Sequence, residues 1–346
     1  MPEPSTPVET FSRDAQAEAP ATRVSLSRVG VVGVEKVIRV CGGSDGDGNG
    51  SAADRSLEAG TYHAELECFV DLNPEQAGVH MSRFEEIVNE AIDGVVLRES
   101  LQAEGLAAHI AEQVRQRQDG LRAEVRISAR YPETKPAPVS GIPTQEIYTL
   151  FGTAVASERG TRMLTGVEAQ GMTACPCAQG LVEDGARERL AAHGYSPEQI
   201  DEIVETVPLA THNQRGIGRL YVGRPEGSGV EVDARDLLAI VEQSMSSEIY
   251  ELMKRSDERA VVEKAHANPR FVEDCVREMI RRVAEAYPGL APEAFIHARQ
   301  ENLETIHRHN VVAERYGLIG EIAGELSGAH SRRHTTMREW LEAPSA

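Results

Sequence analysis

Strict alternation of apolar and polar side chains marks the clearest element of this chain. Residues 61–72, TYHAELECFVDL, carry the two-residue period of a half-buried strand. Residues 23–40, RVSLSRVGVVGVEKVIRV, are rich in valine and bounded by polar residues, and predict a strand or a bent pair of strands. The Gly/Ser/Asp run at 41–60 between them reads as a mobile loop. MSRFEEIVNEAIDGVV (81–96) and LQAEGLAAHIAEQVRQRQ (101–118) change to helical spacing. RAEVRISARYP (122–132) returns to strand, the proline-rich 132–146 reads as a link, and 147–170 as a hairpin. The first half thus predicts the order β-β-α-α-β-β.

The second half repeats that order loosely, without a sequence repeat. RGIGRLYVG (215–223) predicts a strand, 233–253 a helix and 268–287 a second helix, followed by strand-like EAFIHARQ and NVVAERYG. A mostly helical insert fills 180–210. The organisation expected is a disordered tail at 1–22, halves at 23–150 and 151–320, and a C-terminal tail at 321–346.

Composition narrows the class. A chain of 346 residues, 40% hydrophobic and 26% charged, reads as soluble and globular, with one large core or two modest ones. No apolar run approaches the roughly 18 residues of a membrane span. The N-terminus has neither the basic nor the apolar region of a signal peptide, so a cytoplasmic protein is expected. Charge says more: 55 acidic against 36 basic residues give a net charge of −19, and the only lysines are Lys36, Lys135, Lys254 and Lys264. Such a surface repels nucleic acid and anionic membranes, which excludes both as partners. It suits a cytosol of very high salt, where self-repulsion is screened, better than an ordinary one. Five scattered cysteines (Cys41, Cys68, Cys175, Cys177 and Cys275) do not form a secreted disulfide framework. A Cys-x-Cys disulfide would close a very small, strained ring.

Cys175, Cys177, His212 and the carboxylates after position 240 can be weighed as metal ligands. Thiolate, imidazole and carboxylate together suit zinc or ferrous iron, and three protein ligands leave a position for water. On spacing alone, inert buried cysteines are the commoner arrangement. Pro176 stiffens the turn between the thiols, so one can ligate while the other takes a second role. GVHMSRFEE (78–86) puts His80, Ser82 and Arg83 at a helix start, where backbone amides can hold a phosphate. Ser82 with Glu85 also reads as a capping box, which explains Ser82 without a ligand. In ENLETIHRHN (301–310), His307 and His309 share a face if extended and, beside Glu304, suit acid–base or phosphate work. Residues 246–274 hold Glu248 and Glu263 among acids that are mostly solvated helix-face residues.

On GVHMSRF, TACPCAQ, THNQR, SSEIYELMKRSDERAVVEKAHANPRFVEDCVRE and ENLETIHRHN, the chain resembles the GTP cyclohydrolases of the type IB and archaeal (MptA-like) group. The likeness runs from about Val24 to Gly317, and the long insert between CPCAQ and THNQR resembles the archaeal branch. It implies an α+β tunnelling fold (T-fold) of two β-β-α-α-β-β modules per chain. Subunits would assemble into an oligomeric β-barrel with active sites at their junctions, so a homo-oligomer of at least two chains is expected. The implied reaction is attack of a metal-activated water on C8 of GTP. The imidazole ring opens, formate leaves and a 7,8-dihydroneopterin phosphate closes, the 2′,3′-cyclic phosphate in archaeal members, for methanopterin- or folate-type pterins.

The resemblance also implies roles. Cys175, His212 and Glu248 would ligate the metal, Fe2+ in archaeal members, with zinc or another divalent cation as alternatives. Cys177 would be the second thiol. Glu263 would accept guanine N1–H and N2–H as a bidentate pair, and Glu251 and Glu258 compete for the two carboxylate roles. His307 and His309 would move protons or contact the triphosphate, and His80, Arg83, Arg215 and Lys254 would neutralise phosphate charge. Two departures, Gly216 where bacterial relatives tend to have serine and His266 where tyrosine is common, bear on pocket shape. The rival readings are a nitrile reductase of the same fold with a cysteine nucleophile and NADPH, and a non-catalytic purine- or pterin-binding module. His212 and Glu248, as candidate metal partners, argue against the first, and the full ligand set against the second.

Overall fold

The computed structural model describes residues 16, 18–40, 60–94, 103–225, 227–329 and 333–343. Most of the N-terminal tail, the 41–59 run and Cys41 lie outside them. The first half comprises β1 (Leu26–Val40), β2 (Gly60–Leu72), α1 (Met81–Gly94), α2 (Ala103–Arg117), β3 (Arg122–Pro136) and β4 (Pro143–Ser157). The second opens with β5 (Gly160–Ala174), α3 (Pro176–Ala192), α4 (Pro197–Thr206), β6 (Asn213–Pro225) and α5 (Ala234–Gln243). It continues through β7 (Ser247–Glu248), α6 (Arg255–Ala267), α7 (Val272–Ala286), β8 (Phe295–Leu303) and β9 (Val311–Leu318), and ends with α8 (Ile319–Leu326) and α9 (Met337–Glu342).

All strands join one antiparallel sheet in the order β1-β2-β3-β4-β5-β6-β8-β9, with the short β7 against β5. The sheet is open, and the molecule is mixed α+β. Alternation does the sorting. On β2, Ala64, Leu66, Cys68 and Val70 are buried while His63 and Glu65 are exposed. The buried side packs with α1, α2, α5 and α7 in one apolar core that includes Phe84, Ile110, Leu237 and Met279. At Gly152 the contact is backbone on backbone: a Cβ there would lie 2.2 Å from the Ala103 carbonyl carbon. The inserted α3 buries no residue and α4 only Ile200, so the insert stands off the core.

Three segments differ from their sequence reading. The 233–253 helix stops at Gln243, because the Ser244 hydroxyl bonds back to the Ile240 carbonyl at 2.6 Å and the chain then joins β5 as β7. The proline-rich link is largely strand, with Pro136 facing Pro143 across the β3–β4 ladder. β2 pairs with β3 only as far as Ala64↔Ala129, so Pro132 and Pro136 fall where that ladder has ended. α1 begins at Met81, which puts Ser82 inside the first turn rather than at the N-cap. Of the two readings of 23–40, the single strand holds: β1 is one bent strand, with register breaks either side of Val29–Val31 and Gly33 at φ +67.

Residues beyond 320 contribute a second small cluster. Trp340 is 2% exposed, stacks on Phe295 at 5.7 Å, and donates its indole N–H to the Glu293 carbonyl at 2.8 Å. The Arg162 guanidinium lies 4.8 Å from its ring. We expect Trp340→Ala to destabilise the protein by about 3–5 kcal/mol, read as a lowered denaturation midpoint. An unchanged midpoint would mean that α9 contributes nothing to the fold.

Candidate active site

The last residues of β5 and the first of β6 build the site's backbone. Their register ends at Ala174↔Asn213, and one step further the Cys175 amide donates to the His212 carbonyl at 3.1 Å. The Thr211 hydroxyl donates to the Cys175 carbonyl at 2.7 Å, closing a second link between the same two chains. Cys175 is extended at φ −79, ψ 117 and caps α3, its sulfur accepting the Ala178 amide at 3.5 Å. Pro176 occupies the first helical position, where its missing N–H costs nothing. Cys177 follows on the first turn, exposed. The Gln179 side chain donates to the Leu209 carbonyl at 3.2 Å and the His266 carbonyl at 2.7 Å, tying α3 to the approach to β6 and to α6. Cys68 and Cys275 are core residues whose thiols burial pushes up to about 12, so they are poor thiolates.

His212 points its Nδ1 at Glu304 Oε2, 3.8 Å away. Both atoms are buried and neither has a hydrogen-bond partner. The Thr305 hydroxyl bonds the Asn213 carbonyl at 3.1 Å, which pins this turn to β6. Further along the turn, the exposed rings of His307 and His309 stack at 5.2 Å. Arg215, exposed on β6, donates to Gln170 at 3.0 Å. At Gly216 a Cβ would come within 2.4 Å of Gln300 Nε2 and 2.9 Å of Met245 Sδ, so a serine there needs those side chains to move.

Glu248 lies on the other flank of β5, opposite Gly171. That is four residues short of Cys175, roughly 13 Å along a strand, and its carboxylate is held by Lys264. Glu263 sits exposed on α6 in an ion pair with Arg259 at 2.7 Å. Lys254 is exposed immediately before α6. Glu251 and Glu258 are exposed too, and the Glu251 amide donates to Glu146 at 2.8 Å.

Sequence reasoning passed over the carboxylate that suspends this segment. Asp257 is fully buried and accepts the Val139 and Ser140 amides and the Lys254 amide, each at 2.8 Å, and the Ser140 hydroxyl at 2.7 Å. It thereby fastens α6 to the β3–β4 turn of the first half. Its only sequence signal is its place three residues into an acidic helix start.

His80 and Arg83 lie elsewhere. The end of β2 pairs with the start of β3 at Val70↔Ala123, and that with the end of β4 and start of β5 at Ala123↔Ala156 and Ala156↔Thr161. α1 therefore begins at the end of the sheet opposite Cys175. There the His80 amide and carbonyl bond the Gln118 side chain at 3.3 and 2.9 Å, and Arg83 donates to the Arg117 carbonyl at 3.2 Å.

Among the described residues no three His, Cys, Asp or Glu side chains already form a metal-holding group. The donor chemistry at the β5–β6 end nevertheless fits a borderline cation: a thiol, an imidazole and carboxylates. His212 Nδ1, Glu304 Oε2 and His266 Nε2 are all buried there without partners.

The family model described as type I GTP cyclohydrolase folE2 matches residues 13–313. The chain belongs to that family. This GTP cyclohydrolase family member is 38% identical over 319 residues to the GTP cyclohydrolase MptA of Methanococcus aeolicus, covering 90% of this chain and 99% of that one. It is 37% identical to the MptA of Methanocaldococcus jannaschii and 37% to that of Methanosarcina mazei, each covered over 97% of its length. Among solved structures, a uricase from Bacillus fastidious has a similar fold, with a TM-score of 0.50 at 8% identity over 90% of this chain and 99% of that one. No helix of the described residues is long and apolar enough to cross a membrane.

The Asp257 anchor generates a pH-dependent expectation. Burial alone would raise this carboxyl, but the donors from Ser140, Lys254 and Val139 outweigh it and hold it well below the usual range. A depressed carboxylate stabilises the fold above its unfolded value of about 4 and loses that contribution as pH falls toward its folded value. Asp257→Asn should therefore melt lower than wild type at pH 7, with the gap narrowing below about pH 4. A gap independent of pH would rule out the charged anchor.

Proposed function

We propose that this enzyme opens the imidazole ring of GTP at C8, releases formate and forms a 7,8-dihydroneopterin phosphate for methanopterin- or folate-type pterin biosynthesis. The observation that supports the reading is the backbone pairing of Cys175 with His212, which makes the thiol-bearing and imidazole-bearing residues neighbours at one end of a rigid sheet. Cys175, His212 and Glu248 would hold a divalent metal, Fe2+ before zinc, with Cys177 in reserve on the adjoining turn. When bound, such a cation lowers the pKa of a water toward ~7 and so supplies a nucleophile for C8 at neutral pH. To join the set, Glu248 would have to leave Lys264 and reach along β5 from its place opposite Gly171 toward Cys175.

The remaining residues bind and move protons. Glu263 would exchange Arg259 for the guanine N1–H and N2–H. The displaced pair is an exposed i,i+4 contact of little net worth, whereas adenine would leave the carboxylate unpaired. His307 and His309, exposed on the turn that carries Glu304, would move protons at the opening ring or contact phosphate. Arg215 and Lys254 offer positive charge from the same end of the sheet. By likeness to the archaeal branch, the product is the 2′,3′-cyclic phosphate.

His80 and Arg83, at the opposite end of the sheet, can serve this site only from a second copy of the chain. Among the described residues no strand pairs with the outer edges of β1 and β9, which suits the same assembly, a T-fold β-barrel of at least two subunits with sites at the junctions.

The test is anaerobic incubation of the whole protein with GTP and Fe2+ or Zn2+ at high salt, with Cys175→Ala alongside. Wild type should yield formate and, after oxidation, a fluorescent pterin, and the variant should lose turnover by at least ~100-fold. Full activity in Cys175→Ala would sink the ligand assignment. GTP bound but intact with every metal would favour the purine-binding module instead.

A further inference from the structure

We infer that Glu304 is the positioning carboxylate of His212, fixing the tautomer and orientation in which the imidazole meets a metal. The inference deepens the metal-site reading above and rests on it. His212 Nδ1 and Glu304 Oε2 face each other at 3.8 Å, with side chains only 14% and 7% exposed. Each is a buried polar atom with no hydrogen-bond partner. No Lys or Arg among the described residues pairs with Glu304, so this imidazole is the group its carboxylate addresses. The gap exceeds a hydrogen bond but closes with a small rotation of either side chain.

The chemistry then selects one arrangement. A carboxylate only accepts, and neutral imidazole has one N–H and one lone pair. Facing Glu304, the proton belongs on Nδ1, which leaves the lone pair on Nε2, outside the buried contact. That is the pattern by which metal-binding histidines are held in register, the carboxylate fixing the ring and raising its basicity. The backbone supports it from both sides. His212 is fixed through its carbonyl to the Cys175 amide at 3.1 Å, and the neighbour of Glu304 bonds the Asn213 carbonyl at 3.1 Å through the Thr305 hydroxyl. One turn thus orients the histidine while its neighbouring strand end presents the thiol.

The test measures zinc affinity of the full chain by competition with a chromogenic chelator, together with the visible absorption of the cobalt-loaded protein. Glu304→Ala should weaken zinc by ~10–100-fold. Glu304→Gln, whose amide oxygen can still accept from Nδ1–H, should lose less and keep the wild-type cobalt band. Wild-type affinity in Glu304→Ala would overturn the inference and leave the metal site standing. A loss in Glu304→Gln equal to that in Glu304→Ala, with a changed cobalt band, would make Glu304 a ligand rather than a positioning residue. A wild type that binds neither metal would overturn the metal-site reading itself, and the inference with it.

Discussion

The antiparallel ladder between β5 and β6 is the constraint on which the candidate site depends. Its register runs unbroken from Arg162↔Pro225 to Ala174↔Asn213, so the positions of Cys175 and His212 are settled by every pair behind them. A slip of one residue would turn each side chain to the other face, and the thiol and imidazole would part. The 36-residue separation between Thr211 and Cys175 scarcely matters against this. Loop closure grows only as the logarithm of length, and α3 and α4 fill the excursion without competing for the core. Chemistry on strand ends of a rigid sheet is held more tightly than chemistry on loops, and the two least movable candidates sit there.

The carboxylates come from a softer region that the first half of the chain holds in place. Between β7 and α6 the backbone hangs from Glu146 and Asp257 contacts, at 2.8 Å to the Glu251 amide and 2.8 Å to the Lys254 amide. Lys135 adds a second bridge between the halves, donating to Glu242 at 2.6 Å beside the Tyr148 hydroxyl. The segment from Glu248 to Glu263 is therefore placed by the β3–β4 hairpin, although neither β3 nor β4 carries a candidate site residue. A polar network of this kind is worth keeping buried only because its members satisfy one another.

Much of this was legible in the residues themselves. Alternation located β2 and helical spacing located α1 and α2, because a single buried face dictates the period, and the sequence also reads as strand at β3, β6, β8 and β9 and as helix at α7. The CPCAQ and THNQR motifs marked the strand ends that meet. What pattern could not reveal was decided by single polar contacts at long range. The Ser246 hydroxyl accepts the Ala174 amide at 3.0 Å, which helps hold the chain after α5 against β5, yet serine there reads as an ordinary helix residue. Asp257 looks like one more acid on an acidic helix until its donors arrive from residues 139 and 140. Glu304 was visible beside two histidines, but its relation to His212 depends on the β6–β8 register, which no local pattern encodes.

Charge bears on where a nucleotide could be held. A chain of net charge −19 can hold a nucleotide triphosphate only where positive groups gather locally. Two of its four lysines, Lys36 and Lys135 of the first half, are committed to Glu85 and Glu242 at 2.9 and 2.6 Å. The other two bracket α6: Lys254 at its start, without an ion-pair partner among the described residues, and Lys264 next to Glu263, paired with Glu248. If Glu248 turned to a cation and Glu263 to a purine, Lys264 and Arg259 would be released together at the moment a polyanion arrives. The ion pairs of these two carboxylates would then be a reserve of positive charge for the substrate that displaced them. The Arg259–Glu263 pair is exposed, so screening by salt would make its exchange cheap, whereas the Glu248 side chain is only 16% exposed and is screened less.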